Sequence, residues 1–118
     1  MTKILVVDDE LIFRDVMYDF LNRQGFEVAL ADDAAKGFEQ AKNDKPDIAL
    51  VDIRLPKESG IDLTLKLKEL YPDLIIVIMT GYPSLDTAVE AIKNGASEYI
   101  IKPFRLVELK KIITKYVG

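Results

Sequence analysis

Three carboxylates, a hydroxyl and a lysine stand at the ends of short apolar runs, and their types limit the chemistry open to this chain. Asp8 and Asp9, with Glu10 next, follow Ile4-Leu5-Val6-Val7, and Asp52 follows Ile48-Ala49-Leu50-Val51. Thr80 follows Leu74-Ile75-Ile76-Val77-Ile78-Met79, and Lys102 follows Tyr99-Ile100-Ile101. The chain has no cysteine and no histidine. That removes disulfides, thiol nucleophiles and thiolate metal sites, and it removes imidazole as base, nucleophile or ligand. Chemistry must run on carboxylates, hydroxyls, lysines and backbone groups. A metal held by such groups is a hard one, such as magnesium.

Brought together, these residues suit phosphoryl transfer. Carboxylates packed side by side repel one another unless a cation joins them. A magnesium ion takes six oxygens and usually keeps some waters, so two or three carboxylates are about right. Such an ion neutralises the equatorial oxygens of a phosphoryl group. Thr80 can donate a hydrogen bond to one phosphoryl oxygen, and Lys102 can pair with another as a point charge. A carboxylate can accept the group covalently as an aspartyl phosphate. No Walker lysine loop and no G-x-G-x-x-G motif is present.

The elements that must position them follow from periodicity. Five strand-like runs, the second being Glu27-Val28-Ala29-Leu30, alternate with segments of helical period. Most runs are unbroken rather than alternating, as in strands covered on both faces. Phe13, Val16, Met17, Phe20 and Leu21 make one apolar stripe on the first helix. Leu85, Ala88, Val89 and Ile92 do so on the fourth, and Leu106, Leu109, Ile112, Ile113 and Tyr116 on the last. These stripes read as core. Gly25 and Asn94-Gly95 fall where helices end, Pro46 and Pro72 follow the second and third helices, and Asp32-Asp33 reads as a helix cap. Ile112-Ile113-Thr114-Lys115-Tyr116-Val117-Gly118 is a natural stop for the last.

The expected fold is α/β: a doubly wound, five-stranded parallel sheet of the flavodoxin-like (βα)5 kind, as one domain over residues 1–118. Ligands of such sheets bind outside the carboxyl ends of the strands. In the strand order 2-1-3-4-5 the candidate residues come from four adjacent strands. A net charge of −4 argues against direct nucleic-acid binding. No apolar stretch approaches the roughly 18 residues of a membrane span, so the expectation is a cytoplasmic protein without a membrane segment.

At this point the residues match a family. The whole chain resembles the receiver domains of two-component response regulators. The resemblance rests on Val7-Asp8-Asp9-Glu10, Pro46-Asp47 leading to Val51-Asp52, Leu55-Pro56 with Ser59-Gly60, Met79-Thr80-Gly81 and Lys102-Pro103-Phe104. It implies that Asp52 is the phosphoacceptor. It implies that Asp9 binds Mg2+ directly and Asp8 through water, with Asp52 and the Arg54 carbonyl completing the protein's share. Thr80 and Lys102 would contact the phosphoryl group, and the Lys102–Pro103 peptide would be cis. Tyr99 matches the switch aromatic, which rotates as Thr80 moves and alters the face of helix 4, strand 5 and helix 5. Such a switch is a population shift between two conformers.

The implied partners are a sensor histidine kinase or a histidine phosphotransfer protein, since the chain lacks a phosphohistidine of its own. The resemblance leaves two options, a complete single-domain regulator or the N-terminal receiver of a longer one. An effector domain or downstream protein would receive the output, and a phosphorylation-dependent homodimer is a further option. The loop Leu55-Pro56-Lys57-Glu58-Ser59-Gly60 departs from the commonest pattern, as does Gly81 where alanine is common. Neither change removes a functional group.

Each residue alone also has a plainer reading. Asp8-Asp9 and Asp52 could cap turns, Thr80 could be a turn hydroxyl, and Tyr99 an ordinary half-buried strand aromatic. Lys66, Lys68, Lys110, Lys111 and Lys115 read as solvated helix faces. Two other functions compete. A phosphatase or phosphotransferase enzyme working through an aspartyl phosphate usually carries a second acid two residues after the nucleophile, where this chain has Arg54. A flavodoxin-like cofactor binder would need a phosphate to sit against the acidic first turn. Arg54 and Tyr82, each two positions beyond a site residue, are expected to overhang the phosphoryl group and prolong its lifetime.

Overall fold

Strands and helices alternate without exception in the computed structural model, which describes residues 1–117. The order is β1 (Lys3–Val7), α1 (Leu11–Arg23), β2 (Glu27–Ala31), α2 (Ala34–Asn43), β3 (Ile48–Asp52), α3 (Gly60–Leu70), β4 (Ile75–Thr80), α4 (Leu85–Lys93), β5 (Glu98–Ile101) and α5 (Leu106–Val117). All strand pairings are parallel, in the order β2-β1-β3-β4-β5. Gly118, expected to stop the last helix, lies outside the described residues.

Alternation along the strands divides the core into two layers. Ile4, Val6, Ile48, Leu50, Val77 and Met79 face α1 and α5, where Met17, Leu21, Leu109 and Ile113 close over them. Leu5, Val7, Ala49, Val51, Ile76 and Ile78 face α2, α3 and α4, against Ala34, Ala41, Leu63, Leu67 and Ala91. With helices on both faces, β3 and all but the first residue of β1 and of β4 are buried, which is why their sequences carry unbroken apolar runs.

Side-chain caps set the starts of three helices. Asp33 accepts from the Lys36 amide (2.8 Å), Ser59 from the Asp62 amide (3.2 Å) and Ser84 from the Thr87 amide (3.1 Å). Gly25 (φ +90°) and Gly95 (φ +108°) take the left-handed conformation after α1 and α4.

One expectation fails in an informative place. The apolar stripe of α4 is not core: Leu85 is 79% exposed, Val89 49% and Ile92 51%. The only fully buried residue of this helix is Ala91, and Ala88 is half-buried beside it. The reason is rotation. Two small side chains three residues apart let the helix lie close to the sheet, and that seating turns the bulkier stripe outward. Val16 of α1, also placed in a core stripe, is 47% exposed beside a groove between α1 and the segment that follows β5. Among the described residues no helix is long and apolar enough to cross a membrane.

Candidate functional site

The parallel register delivers the expected residues to one edge. Val7 lies beside Val51, Asp52 beside Met79, and Thr80 beside Ile101, so the residues that follow emerge together. The Asp8 amide donates to the Ala31 carbonyl (3.1 Å), which carries the sheet geometry one residue past β1. The Lys102 amide does the same to the Thr80 carbonyl (2.7 Å) past β5. The Lys102–Pro103 peptide bond is cis.

Asp8 is completely buried, Asp52 is nearly so, and Asp9 is exposed. One carboxylate oxygen from each lies within 4.8 Å of the other two. Asp8 is held by three contacts. Its Oδ1 accepts from the Glu10 amide (2.9 Å), its Oδ2 from the Lys102 ammonium (2.5 Å), and its carbonyl from the Arg14 guanidinium (2.7 Å). The same ammonium lies 3.6 Å from Asp52 Oδ2. Burial pushes the Asp52 carboxyl up to about 6; the Lys102 charge opposes that rise, while Asp8 and Asp9 add to it.

A cleft of about 360 Å³ opens above these groups, lined by Asp8, Asp9, Glu10, Asp52, Arg54, Gly81, Tyr82 and Lys102. The donors fit a hard divalent cation: three carboxylates converge within the span one ion can bridge, and a positive charge already stands against two of them. Arg54 and Tyr82, both exposed, stack over the cleft, with the guanidinium carbon 3.8 Å from the ring centroid.

Thr80 and Tyr99 do not reach the carboxylates in this conformation. Thr80 is buried, and its hydroxyl accepts from the Tyr82 amide (3.0 Å). Tyr99 is half-buried, and its hydroxyl shares a hydrogen bond with the Thr87 hydroxyl of α4 (3.0 Å). Three residues in these contacts were not singled out from sequence: Arg14, Thr87 and, in this role, Phe13. The Phe13 ring faces the Lys102 ammonium, 4.0 Å from its centroid, and meets Phe104 edge-to-face. Nothing in the sequence ties Arg14 to the Asp8 carbonyl. Nothing in the sequence pairs Thr87 with Tyr99.

A flavodoxin-like cofactor site is not favoured by this cleft, whose floor is acidic. The profile of the response regulator receiver domain matches residues 4–114. Transcriptional regulatory protein ZraR of Escherichia coli is 38% identical over 112 residues, which is 95% of this chain and 25% of that protein. The chain thus spans about a quarter of the length of such regulators. Sporulation initiation phosphotransferase F of Bacillus subtilis is 29% identical over 115 residues, covering 98% of this chain and 93% of that protein. A CheY-like response regulator receiver domain protein from Methanospirillum hungatei superposes with a TM-score of 0.95 and 34% identity, over 98% of this chain and 92% of that one. A response regulator protein from Burkholderia pseudomallei, solved with a phosphorylated aspartic acid, a calcium ion and citrate, gives 0.89 and 33%, over 98% and 66%. With its fold, its acidic edge and its family profile in agreement, the chain belongs to the response regulator receiver domains, the phosphate-accepting modules of two-component signalling.

Proposed function

We propose that Asp52 is the phosphoacceptor, taking its phosphoryl group from the phosphohistidine of a sensor histidine kinase or a histidine phosphotransfer protein. The observation that carries this is the convergence of Asp8, Asp9 and Asp52 within 4.8 Å, with Lys102 against two of them. A carboxylate oxygen of Asp52 bonds to phosphorus as the bond from phosphorus to the donor's imidazole nitrogen breaks, and the electron pair leaves with that nitrogen. With its carboxyl raised to about 6, Asp52 is mainly ionised, and so nucleophilic, at pH 7.

Asp8, Asp9, Asp52 and the Arg54 carbonyl would hold Mg2+, which supplies neutralisation of the transferring group's oxygens. Lys102 pairs with a phosphoryl oxygen. Thr80 gives up the Tyr82 amide to donate to another, and Tyr99 leaves Thr87 for the space that Thr80 vacates. That exchange alters the α4, β5 and α5 face, where Leu85, Val89, Ile92, Ile101 and Val107 are exposed. A phosphorylation-dependent homodimer, an effector domain or a downstream protein would read this face. Residues 1–118 act as one cytoplasmic receiver domain that promotes only its own phosphorylation and dephosphorylation and turns over no separate substrate.

Incubation with magnesium and acetyl phosphate, followed by intact mass, tests the assignment. One phosphoryl adduct is expected, dependent on magnesium and absent from Asp52→Asn. An adduct that survives in the variant would place the acceptor elsewhere. Turnover of small phosphate esters well beyond stoichiometry would instead favour an enzyme.

The Arg54–Tyr82 stack lies over the cleft in the path of attacking water. Replacing both by alanine is expected to shorten the phosphoryl half-life on the order of fivefold, equal to about 1 kcal/mol of barrier. An unchanged decay rate in the double variant would remove the shielding role.

A further inference from the structure

The Lys102 ammonium has three close neighbours, and only two are acids. Asp8 Oδ2 is at 2.5 Å and Asp52 Oδ2 at 3.6 Å. The third is the face of the Phe13 ring, with its centroid at 4.0 Å. Phe13 belongs to the apolar stripe of α1, yet it is only half-buried, unlike Met17 and Leu21 of the same stripe. Its ring lines a groove of about 650 Å³ between α1 and the Lys102-Pro103-Phe104 segment, and Lys102 borders both this groove and the cleft. Phe104 meets it edge-to-face, with centroids 6.1 Å apart and planes at 85°, which fixes the direction in which the face points.

A lysine carries its charge on a flexible four-carbon stem. Two carboxylates draw the ammonium inward, but the side chain is 20% exposed, and on its open side water would compete for it. An aromatic face attracts a cation through the ring quadrupole and excludes that water at the same time. Leucine or methionine fills much of the same volume without the quadrupole. We infer that Phe13 is a positioning residue, whose ring face holds the Lys102 ammonium against Asp8 and Asp52 and within reach of a phosphoryl group on Asp52. The inference rests on the proposed phosphoacceptor role, and it adds an α1 ring to the groups around the Lys102 ammonium.

Two consequences run in opposite directions. A loosened ammonium serves the incoming phosphoryl group less well, so phosphorylation slows. The same ammonium competes with a divalent cation for Asp8 and Asp52, so loosening it tightens cation binding. Simple damage to the cleft would weaken both.

The test compares wild type, Phe13→Leu, Phe13→Met and Phe13→Trp. The Lys102 ε-methylene is observed by 1H–13C NMR in the metal-free protein, Mg2+ binding by calorimetry, and phosphorylation by acetyl phosphate with time. In the wild type the ε-methylene protons should lie upfield of those of the other lysines, because they sit over a ring. Leucine and methionine should abolish that shift, slow phosphorylation roughly fivefold and tighten Mg2+ binding roughly threefold, the scale of one cation–π contact. Tryptophan, which keeps a ring face, should stay near the wild type in all three. The methionine variant carries the same expectations should leucine unsettle the fold.

An unmoved ε-methylene, or rate and cation affinity falling together, overturns the inference. If wild type is phosphorylated and both ring-free variants match it throughout, only the Phe13 role fails. If wild type takes no phosphoryl group, the proposed function and the rate arm fail together. The NMR and calorimetric arms then still decide whether Phe13 holds the ammonium.

Discussion

Gly60→Ala is expected to destabilise the protein by about 3 kcal/mol, a large overpacking effect, and to slow phosphorylation of Asp52 with it. A Cβ at position 60 would lie 2.0 Å from the Asp52 carbonyl oxygen, 2.8 Å from its carbonyl carbon and 2.9 Å from Val51 Cγ1. Two of these are backbone atoms at the end of β3, so no rotamer change can relieve the clash. The contact is close because α3 begins there: the Gly60 amide donates to the Ile53 carbonyl (2.8 Å), and Ser59 caps the helix. Making room must move either the start of α3 or Asp52 itself. Gly81→Ala is the control, since nothing lies within 4 Å of a Cβ there, and its stability should change by less than about 0.5 kcal/mol. Urea unfolding of both variants, alongside acetyl phosphate labelling, makes the comparison. Equal stability of the two would refute the packing argument.

In the absence of a metal, the acceptor itself should be a burden on stability. The Asp52 carboxyl rises from 3.8 to about 6 on folding, chiefly through burial, so the folded chain holds this proton more tightly than the unfolded chain. Stability from this group is therefore complete below pH ~4 and is lost as the pH climbs through ~6. A difference of about two units corresponds to ~3 kcal/mol by pH 8. Asp52→Asn, which cannot ionise, should be more stable than wild type by roughly that amount at pH 8 in a chelator, and equal to it near pH 4. Magnesium should narrow the gap at pH 8 by stabilising the wild type selectively. Urea unfolding across this pH range checks the claim. A gap that persists into acid would mean that packing, and not ionisation, separates the two proteins.

Most of this architecture was legible because strands covered on both faces leave little freedom. Ile48-Ala49-Leu50-Val51 can hardly be anything but a central strand, and the polar residue ending such a run must emerge at the carboxyl edge. The topology then assembles Asp8, Asp9, Asp52, Thr80 and Lys102 without further information. The seating of α4 was illegible for a related reason. Periodicity gives the direction of a stripe on a helix but not what lies opposite, and Leu85, Val89 and Ile92 read alike whether the sheet covers them or not. Phe13 was hidden in the same way. It shares a stripe with Met17 and Leu21, and only the arrival of Lys102 from the far end of the chain distinguishes its surroundings. The Tyr99–Thr87 contact depends on how α4 is rotated, so it became readable only with that rotation.

The small apolar face that α4 buries bears on how cheaply the molecule can change shape. Cooperative units of a fold open with free energies set largely by the apolar surface that each exposes. The strands β1 and β3 bury nearly every side chain they carry, so their opening approaches global unfolding. The fourth helix buries one alanine completely and already shows its larger apolar residues to solvent, so its detachment adds little new exposure. Tyr99, the residue proposed to switch, packs against the core layer but binds through its hydroxyl to this helix. A rigid half that must keep its carboxylates in register is thus joined to a half that can fray and reanneal. The chain divides its labour between its central strands and its fourth helix.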